Sequence, residues 1–331
     1  MNDKNQGLMI PQLAVHFIVH NDFSHIEAAL DSLYQTTTIS SQIHLTINSG
    51  QSVNTERIRS QYPQVQIIIN THSISFAANH NNLMRRVNAP FVALINDDVI
   101  FHPQSLDTLV RYLDMHQDVG LVGPLVENPD GSMQLSTFSD PSLLRMLFHM
   151  SGLNKFTKHG GVFRRVLQRL QIARLIRVES LNSDLITRDV PVIVGVCMVA
   201  RREAFLQAGM MDEYTQMYAE EMGWHWRLRQ QGWRVVFVPS ARVTHYNLAQ
   251  DLSGWKLTEH RKGVLAYFLQ YRPAWQAHII RLAIILSHTL ASFVTVPFNR
   301  DVARTHWQTV RMGMTWKITI TDVSTASPLS H

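Results

Sequence analysis

The first half of this chain alternates mainly apolar runs with stretches of helical spacing. Leu13–Val19 and Phe91–Ile95 have the length and composition of buried strands, whereas Ile26, Leu30 and Leu33 repeat at the interval of one helix face. The same patterns predict strands at Ile43–Ile47 and Val65–Ile69, and helices at Thr55–Gln61 and Ala77–Val87. This alternation is typical of βαβ units, so it predicts an α/β fold with a mainly parallel central sheet flanked by helices.

The second half has a mixed pattern after turn signals near Asn128–Gly131. Strands are predicted at Val190–Ala200, Arg234–Val238 and Ala241–His245, and helices at Arg202–Ala208 and Glu220–Gln231. We therefore expect one domain over residues 1–270. The remainder, 271–331, is expected to be a helical extension that associates with a membrane and ends in a disordered tail, Thr321–His331.

Composition narrows the cellular setting. The chain has 331 residues, of which 45% are hydrophobic and 17% charged, as is ordinary for a globular protein. Its one cysteine, Cys197, excludes an intramolecular disulfide. The first residues, MNDKNQG, lack the charged and apolar regions of a signal peptide. These features predict a cytoplasmic protein.

Two segments indicate a membrane surface. Lys155–Arg177 carries seven basic residues and no acid, interleaved with apolar residues, within a chain of net charge +5. Ile279–Phe298 is strongly apolar, but Arg281 and His288 interrupt it. We expect this second segment to lie in the membrane interface rather than to span the bilayer, with an anionic surface as partner. The alternative is that the basic helix only solvates one face of the fold.

A polar motif, Asn96-Asp97-Asp98, directly follows the apolar run Phe91–Ile95. Residues two apart in a strand share a face, so Asn96 and Asp98 are expected to point the same way. Oxygen ligands at the carboxyl end of a strand suit Mg²⁺ or Mn²⁺ bridging a diphosphate. The alternative is that these side chains close a turn or cap the next helix.

Two further features carry candidate chemistry. Glu220 and Glu221 begin a predicted helix, where a carboxylate can act as a general base or can simply interact with the helix dipole. His245 ends a predicted strand, where it is either a metal ligand or an ordinary core histidine. Trp224, one turn after the acids, is expected to form an apolar wall for an acceptor.

These features occur within a longer series of motifs in one order. The series is Phe17–Asn21, Ser75–Asn81, Leu94–Asp98, Asn128–Gln134, Gly195–Phe205, Met217–Glu221, Gly232–Val235 and Val243–His245. Over roughly residues 13–270 the chain resembles family 2 glycosyltransferases of the GT-A fold, and most closely their bacterial rhamnosyltransferase-like branch, which builds O-antigen and related surface polysaccharides.

The resemblance implies roles for individual residues. Asp98 matches the metal-ligating acid of the family, with Asn96 and His245 beside the metal, and Glu221 matches the catalytic base, with Glu220 as its neighbour. The positions that match nucleotide-sugar contacts are His20, Asn21, Asn48, Phe76, His80, Asn81, Asn96 and Asp97. Departures from the family pattern occur at Ile47, at Val19-His20 and at Gly223, which affect the expected base and acceptor contacts.

The implied reaction is a single displacement with inversion at the anomeric carbon of a nucleotide-diphosphate sugar, possible donors including a rhamnose nucleotide. The implied acceptor is a glycan or a polyprenyl-linked saccharide, at the inner face of the plasma membrane. A catalytically silent sugar-nucleotide-binding protein on the same fold is the alternative. Nucleic-acid binding is disfavoured because the basic segment has only two aromatic residues, Phe156 and Phe163, and so lacks the aromatic platform expected for single strands. A dehydrogenase is disfavoured because no G-x-G-x-x-G follows the first strand.

Overall fold

The computed structural model describes residues 11–20, 23–49, 55–152, 185–246 and 254–318. Three features predicted from the sequence lie outside these ranges: Asn21, the basic segment Lys155–Arg177 and the tail Thr321–His331. The expectations for them stay predictions.

Strands and helices alternate through the N-terminal half, as the apolar pattern predicts. Strand β1, Leu13–Val19, is buried on both faces, because its side chains enter one apolar core on each side of the sheet. The elements that follow are α1 (Ile26–Thr36), β2 (Ser41–Ile47), α2 (Glu56–Gln61), β3 (Gln66–Ile69), α3 (Phe76–Met84) and β4 (Phe91–Asn96). Ser75 caps α3, with its hydroxyl oxygen accepting a hydrogen bond from the Ala78 amide at 3.1 Å.

The second half is mixed in strand direction. Its elements are β5 (Val99–Phe101), α4 (Ser105–Met115), β6 (Val119–Glu127), β7 (Thr137–Phe138), α5 (Leu143–Met150), β8 (Arg188–Asp189), β9 (Val192–Ile193), β10 (Cys197–Arg201), α6 (Arg202–Ala208), α7 (Glu220–Gln230) and β11 (Arg234–His245). The main sheet has the order β3-β2-β1-β4-β10-β6-β11-β5, with β8 paired to β11. Strands β3, β2, β1 and β4 are parallel, as are β6 and β11, whereas β10, β5 and β8 run antiparallel to their neighbours.

The last strand differs from its prediction. Two separate strands were expected at Arg234–Val238 and Ala241–His245, but β11 runs continuously from Arg234 to His245. Its register against β6 shifts between Val238 and Arg242. Pro239 lies in this interval and has no N–H for the ladder, so a bulge accommodates it without ending the strand. The continuous strand carries His245 to the edge of the sheet where β4 also ends.

In the part of the chain that the structure describes, three helices follow β11. They are α8 (Trp255–Tyr271), α9 (Ala274–Thr295) and α10 (Arg300–Thr315). One face of α9, with Ile280 and Ile284, is buried in a third apolar core that also contains Phe268 of α8 and Met150 of α5. The other face of α9 is exposed and apolar. The proposed boundary near residue 270 coincides with the end of α8 and stays a prediction.

Candidate functional site

The turn after β4 brings Asp98 to the end of β11. Val99 of β5 pairs with His245, and the Asp98 carbonyl accepts a hydrogen bond from the Tyr246 amide at 3.1 Å. The Asp98 Oδ1 atom therefore lies 3.2 Å from His245 Nε2, and both side chains are almost fully buried. The structure thus joins two of the predicted metal ligands.

Asp98 does not lie on a strand face shared with Asn96, although the strand pattern predicted this. Asn96 is the last residue of β4, and Asp97 and Asp98 form a turn, so the rule that alternate strand residues share a face does not apply. Asn96 and Asp98 meet instead because both approach His245. The Asn96 amide nitrogen lies 3.4 Å from His245 Nε2, so a role as an oxygen ligand would require this amide to rotate.

Gln134 orients His245, which the sequence did not predict. Its Nε2 donates to two oxygen atoms, the His245 carbonyl at 2.8 Å and Asn128 Oδ1 at 2.7 Å. Its Oε1, 3.0 Å from His245 Nδ1, is consequently an acceptor for an Nδ1–H. In its neutral form the ring therefore presents the lone pair of Nε2 to Asp98. The one feature of the sequence that pointed to Gln134 is that it is the last residue of the motif Asn128–Gln134, to which no role was assigned from the sequence.

This corner suits a divalent cation. A lone pair on Nε2 that faces a carboxylate oxygen is unfavourable unless a proton or a metal lies between the two atoms. Two ligands at right angles around an ion, each ~2.1 Å from it, lie ~3 Å apart, close to the observed 3.2 Å. Among the described residues no group of three or more His, Cys, Asp and Glu side chains could hold a metal. Further ligands would therefore be Asn96, water or a bound diphosphate.

Glu220 and Glu221 begin α7 and both line a cavity of about 540 Å³. Adjacent residues of a helix point about 100° apart, which predicts that only one of the two faces the pocket, but both line it. Burial raises the pKa of Glu221 to about 7. Burial and the neighbouring Glu221 charge raise the pKa of Glu220 well above its ordinary value, and Glu220 Oε2 has no hydrogen-bond partner among the described residues. Glu220 is the more deeply buried of the two acids, so the site accommodates the ionised form better at Glu221.

A strained turn holds the two acids. Tyr218 and Ala219 have φ values of 77° and 73°, a left-handed conformation that is unfavourable for residues other than glycine. The turn is fastened to α8, since Glu259 Oε2 accepts a hydrogen bond from the Gln216 amide at 2.7 Å. A Cβ atom on Gly263 would lie only 2.7 Å from the Tyr218 carbonyl oxygen, so a glycine is needed for this approach.

The cavity connects the acid pair with the cation corner. Asn96 and Gln134, which both contact His245, line it, as does Phe76 at the start of α3. Gly195 lies in the loop before β10 and adds no side chain to the wall. Residues of α5 and α8 line the cavity as well. One enclosure therefore contains a pair of buried carboxylates and reaches a site suited to a cation.

Several side chains that were predicted to contact the nucleotide sugar form hydrogen bonds within the protein instead. The amide of Asn48 bonds with both backbone groups of Ile74. His80 is fully buried against His16, with the two Nδ1 atoms 2.9 Å apart. Asn81 donates to the Met211 carbonyl at 2.8 Å. Since these side chains hold loops and helices together, we do not carry them into the proposed site.

The remaining residues predicted for the site differ in how exposed their side chains are to solvent or to the cavity. His20 is exposed at the end of β1, Asp97 is partly exposed in the turn after β4, and Phe76 lines the cavity. The prediction that Trp224 forms an acceptor wall is corrected. Its side chain is fully buried in the core and is absent from the cavity wall. Its indole nitrogen donates to the Gly209 carbonyl at 2.9 Å. One helical turn after the acids, its ring points inward to the sheet and not to the pocket.

Comparison with curated proteins finds a relative that matches most of the chain. The chain is 26% identical over 302 residues to the N-acetylglucosaminyl-diphospho-decaprenol L-rhamnosyltransferase of two Mycobacterium tuberculosis strains, CDC 1551 / Oshkosh and ATCC 25618 / H37Rv. The match covers 87% of this chain and 94% of the relative.

Solved structures of other proteins have a similar fold. GalNAc-T7 with UDP, GalNAc and Mn²⁺ has a TM-score of 0.54 at 13% identity, over 78% of this chain. This chain spans about half of GalNAc-T7, namely 48%. Residues 1–349 of TarS from S. aureus have a TM-score of 0.53 at 10% identity, over 91% of this chain and 79% of that one. These similarities show the fold, and they confirm the predicted α/β class with a mainly parallel sheet.

A family model, described as glycosyltransferase like family 2, matches residues 24–263. That range contains the acid pair, the cation corner and most of the sheet. The resemblance predicted from the sequence motifs is therefore confirmed: this chain belongs to glycosyltransferase family 2, has the GT-A fold and is a glycosyltransferase.

Proposed function

We propose that this glycosyltransferase moves a sugar, with inversion, from a nucleotide-diphosphate donor to a saccharide carried on a polyprenyl diphosphate. The observation that carries the proposal is the cavity in which buried Glu220 and Glu221 share one space with Asn96 and Gln134 of the cation corner. Rhamnose is the proposed sugar and surface polysaccharide the proposed product. Their support is the printed name of the mycobacterial relative and the resemblance of the motifs.

In the proposed reaction Glu221 is the general base. Its carboxylate takes the proton of the acceptor hydroxyl while that oxygen bonds to the anomeric carbon. The bond between the anomeric carbon and the donor's diphosphate oxygen breaks, and its electron pair leaves with the diphosphate. A pKa of about 7 suits this role, because a base is most effective when its pKa lies near the working pH. Asp98 and His245 would hold Mg²⁺ or Mn²⁺, which supplies positive charge for the departing diphosphate.

The test is product formation from a panel of nucleotide sugars. Purified protein is incubated with each donor and a short-chain N-acetylglucosaminyl-diphospho-prenol, in Mn²⁺, in Mg²⁺ or in chelator. We expect one donor to give a metal-dependent glycoside whose anomeric configuration, read by NMR, is inverted. A retained configuration, or equal turnover in chelator, would contradict the proposed mechanism.

Substitution of Gly263 tests whether the strained turn positions the acids. We expect Gly263→Ala to lower kcat at least ~10-fold, because the new methyl group would contact the Tyr218 carbonyl at 2.7 Å and Ala219 Cβ at 2.6 Å. Gly313→Ala, at a glycine of α10 whose nearest atom is a side-chain carbon at 3.1 Å, is the control and should remain active. Normal kcat in folded Gly263→Ala would show that the turn tolerates displacement.

We further propose that the enzyme works on the inner face of the plasma membrane. Helix α9 is the one described helix that is long and apolar enough to cross a bilayer, with a mean hydropathy of 1.6. Its buried face packs on the protein, while Leu282, Leu286, Leu290 and Phe293 form an exposed stripe at helical spacing. A helix held on one side and apolar on the other suits a position in the membrane interface.

Flotation with anionic vesicles tests this membrane contact. Leu286→Glu combined with Leu290→Glu should lower vesicle binding by ~10-fold or more, because each buried leucine contributes roughly 1.5–3 kcal/mol. Met115→Glu makes the same change at another exposed apolar side chain, on α4, and should leave binding unchanged. If the double variant floated as the native protein does, α9 would not be the contact.

A further inference from the structure

One side of the cavity is basic and has no role in the proposed transfer step. Helix α5 contributes Arg145 and His149, which are four residues apart and so lie on one helix face. Helix α8 contributes the adjacent residues His260 and Arg261. Two guanidinium groups and two imidazoles therefore border a space that also contains two glutamates.

Arg261 is a partly buried cation without a carboxylate partner among the described residues. No Asp or Glu in the described part of the chain lies within ion-pair distance of its guanidinium, and its Nε donates to His288 Nε2 at 3.3 Å. Burial lowers the pKa of His288 to about 3, so this partner is neutral. Burial also lowers the pKa of Arg261 to about 10, which still leaves it charged at neutral pH. A buried charge of this kind is costly unless an anion compensates it.

His260 adds an unused polar atom to the same wall. Its Nδ1 is buried and has no hydrogen-bond partner among the described residues. Burial lowers the pKa of His260 to about 3, so the ring is neutral and supplies one N–H donor. An anion that bound Arg261 would bring an acceptor within reach of this neighbouring side chain.

We propose that Arg261, with Arg145 and His260, binds the diphosphate of the lipid-linked acceptor. The inference rests on the proposed function. A guanidinium group binds phosphate oxygens through two parallel N–H donors, which suits a diphosphate better than a neutral sugar. The donor's own diphosphate has a separate place at the cation corner of Asp98 and His245.

The surroundings fit a lipid carrier. Helix α5, which bears Arg145, packs in the same apolar core as the buried face of α9. The exposed face of α9 carries the apolar stripe that includes Leu286 and Leu290. A diphosphate held by Arg145 and Arg261 would thus leave its prenyl chain near a surface suited to membrane. The acceptor saccharide would extend from the same diphosphate to Glu221.

Titration with inorganic pyrophosphate in chelator tests the subsite without the metal-dependent donor site. We expect the native protein to bind pyrophosphate, and Arg261→Gln and Arg145→Gln each to weaken binding ~10-fold or more. Lys256→Gln removes a basic charge from the same helix outside the cavity, and should change affinity by less than about twofold. No binding by native protein, or equal binding by the arginine variants and native protein, would overturn the proposal.

A kinetic comparison identifies the ligand. Arg261→Gln should raise the KM for the short-chain diphosphate acceptor ~10-fold relative to its KM for a neutral alkyl N-acetylglucosaminide.

Binding to phosphatidylglycerol vesicles tests whether the site takes a lipid headgroup instead. If Arg261→Gln weakened vesicle binding but not pyrophosphate binding, the site would take a lipid headgroup and the proposal would be overturned. Failure of transfer to either acceptor would refute the proposed function, whereas pyrophosphate titration would still decide the subsite. If Arg261→Gln did not fold, as judged by circular dichroism, Arg145→Gln would decide both measurements.

Discussion

Asp98→Ala is expected to lower turnover by ~10³ or more while the protein stays folded. The side chain lies in the turn after β4, outside the strands that form the core, and its Oδ1 faces His245 Nε2 at 3.2 Å. Loss of the carboxylate removes an anionic ligand of this corner, so a divalent cation would bind more weakly. The measurement is initial rate against Mn²⁺ concentration, with thermal unfolding recorded for each variant.

Two variants sharpen the Asp98 experiment. Asp98→Asn keeps the shape of the side chain and removes its charge, so it should require a higher Mn²⁺ concentration for half-maximal rate. Asp114→Ala removes an exposed acid of α4 and should behave as the native enzyme. Near-normal turnover of Asp98→Ala in metal-free buffer would refute the assignment of a metal to this corner.

Glu221→Gln is expected to lower kcat by ~10² or more with donor affinity nearly unchanged, because glutamine keeps the size of the side chain and cannot accept the proton. Glu220→Gln is the matched comparison. Glu220 is the more deeply buried acid, and burial and the charge of Glu221 raise its pKa, so a neutral amide at this position should preserve much of the activity. Donor affinity is measured by calorimetry and kcat from initial rates at saturating acceptor.

The pH profile gives a second readout of the same role. A base acts in its deprotonated form, so kcat/KM of the native enzyme should rise with pH up to about 7 and then level, following the pKa of Glu221. The residual kcat/KM of Glu221→Gln should not show this rise with pH. If Glu220→Gln were the inactive variant and Glu221→Gln stayed active, the assignment within the pair would be reversed. If both variants stayed active, the mechanism would be abandoned.

Local patterns in the sequence were sufficient for most elements of the sheet. Leu13–Val19 was predicted with the bounds that β1 has, and Arg202–Ala208 with those of α6. Buried strands and amphipathic helices leave their period in a short window, so no knowledge of distant contacts is needed. The single strand from Arg234 to His245 was predicted as two strands. The bulge at Pro239 that makes it continuous depends on pairing with β6, which lies more than a hundred residues earlier.

Chemical type and order in the sequence led to the principal candidates for the site. Asn96, Asp98, Glu220, Glu221 and His245 stand in motifs whose sequence spacing resembles that of a known family. The structure places the first two beside His245 and puts both glutamates on the cavity wall. Their individual roles remain predictions that the variants above test.

The fold class, the family and the chemical type of the candidate site residues could be predicted from the sequence, because they depend on short motifs and on the period of apolar residues. Which of these groups meet depends on the tertiary structure. Gln134 contacts His245 across 111 positions of the chain, and Arg261 approaches the cavity because α8 packs beside the turn of Tyr218 and Ala219. Trp224 faces the core for the same reason: strand order and helix packing, which bring distant segments together, decide whether a side chain reaches a pocket or the interior.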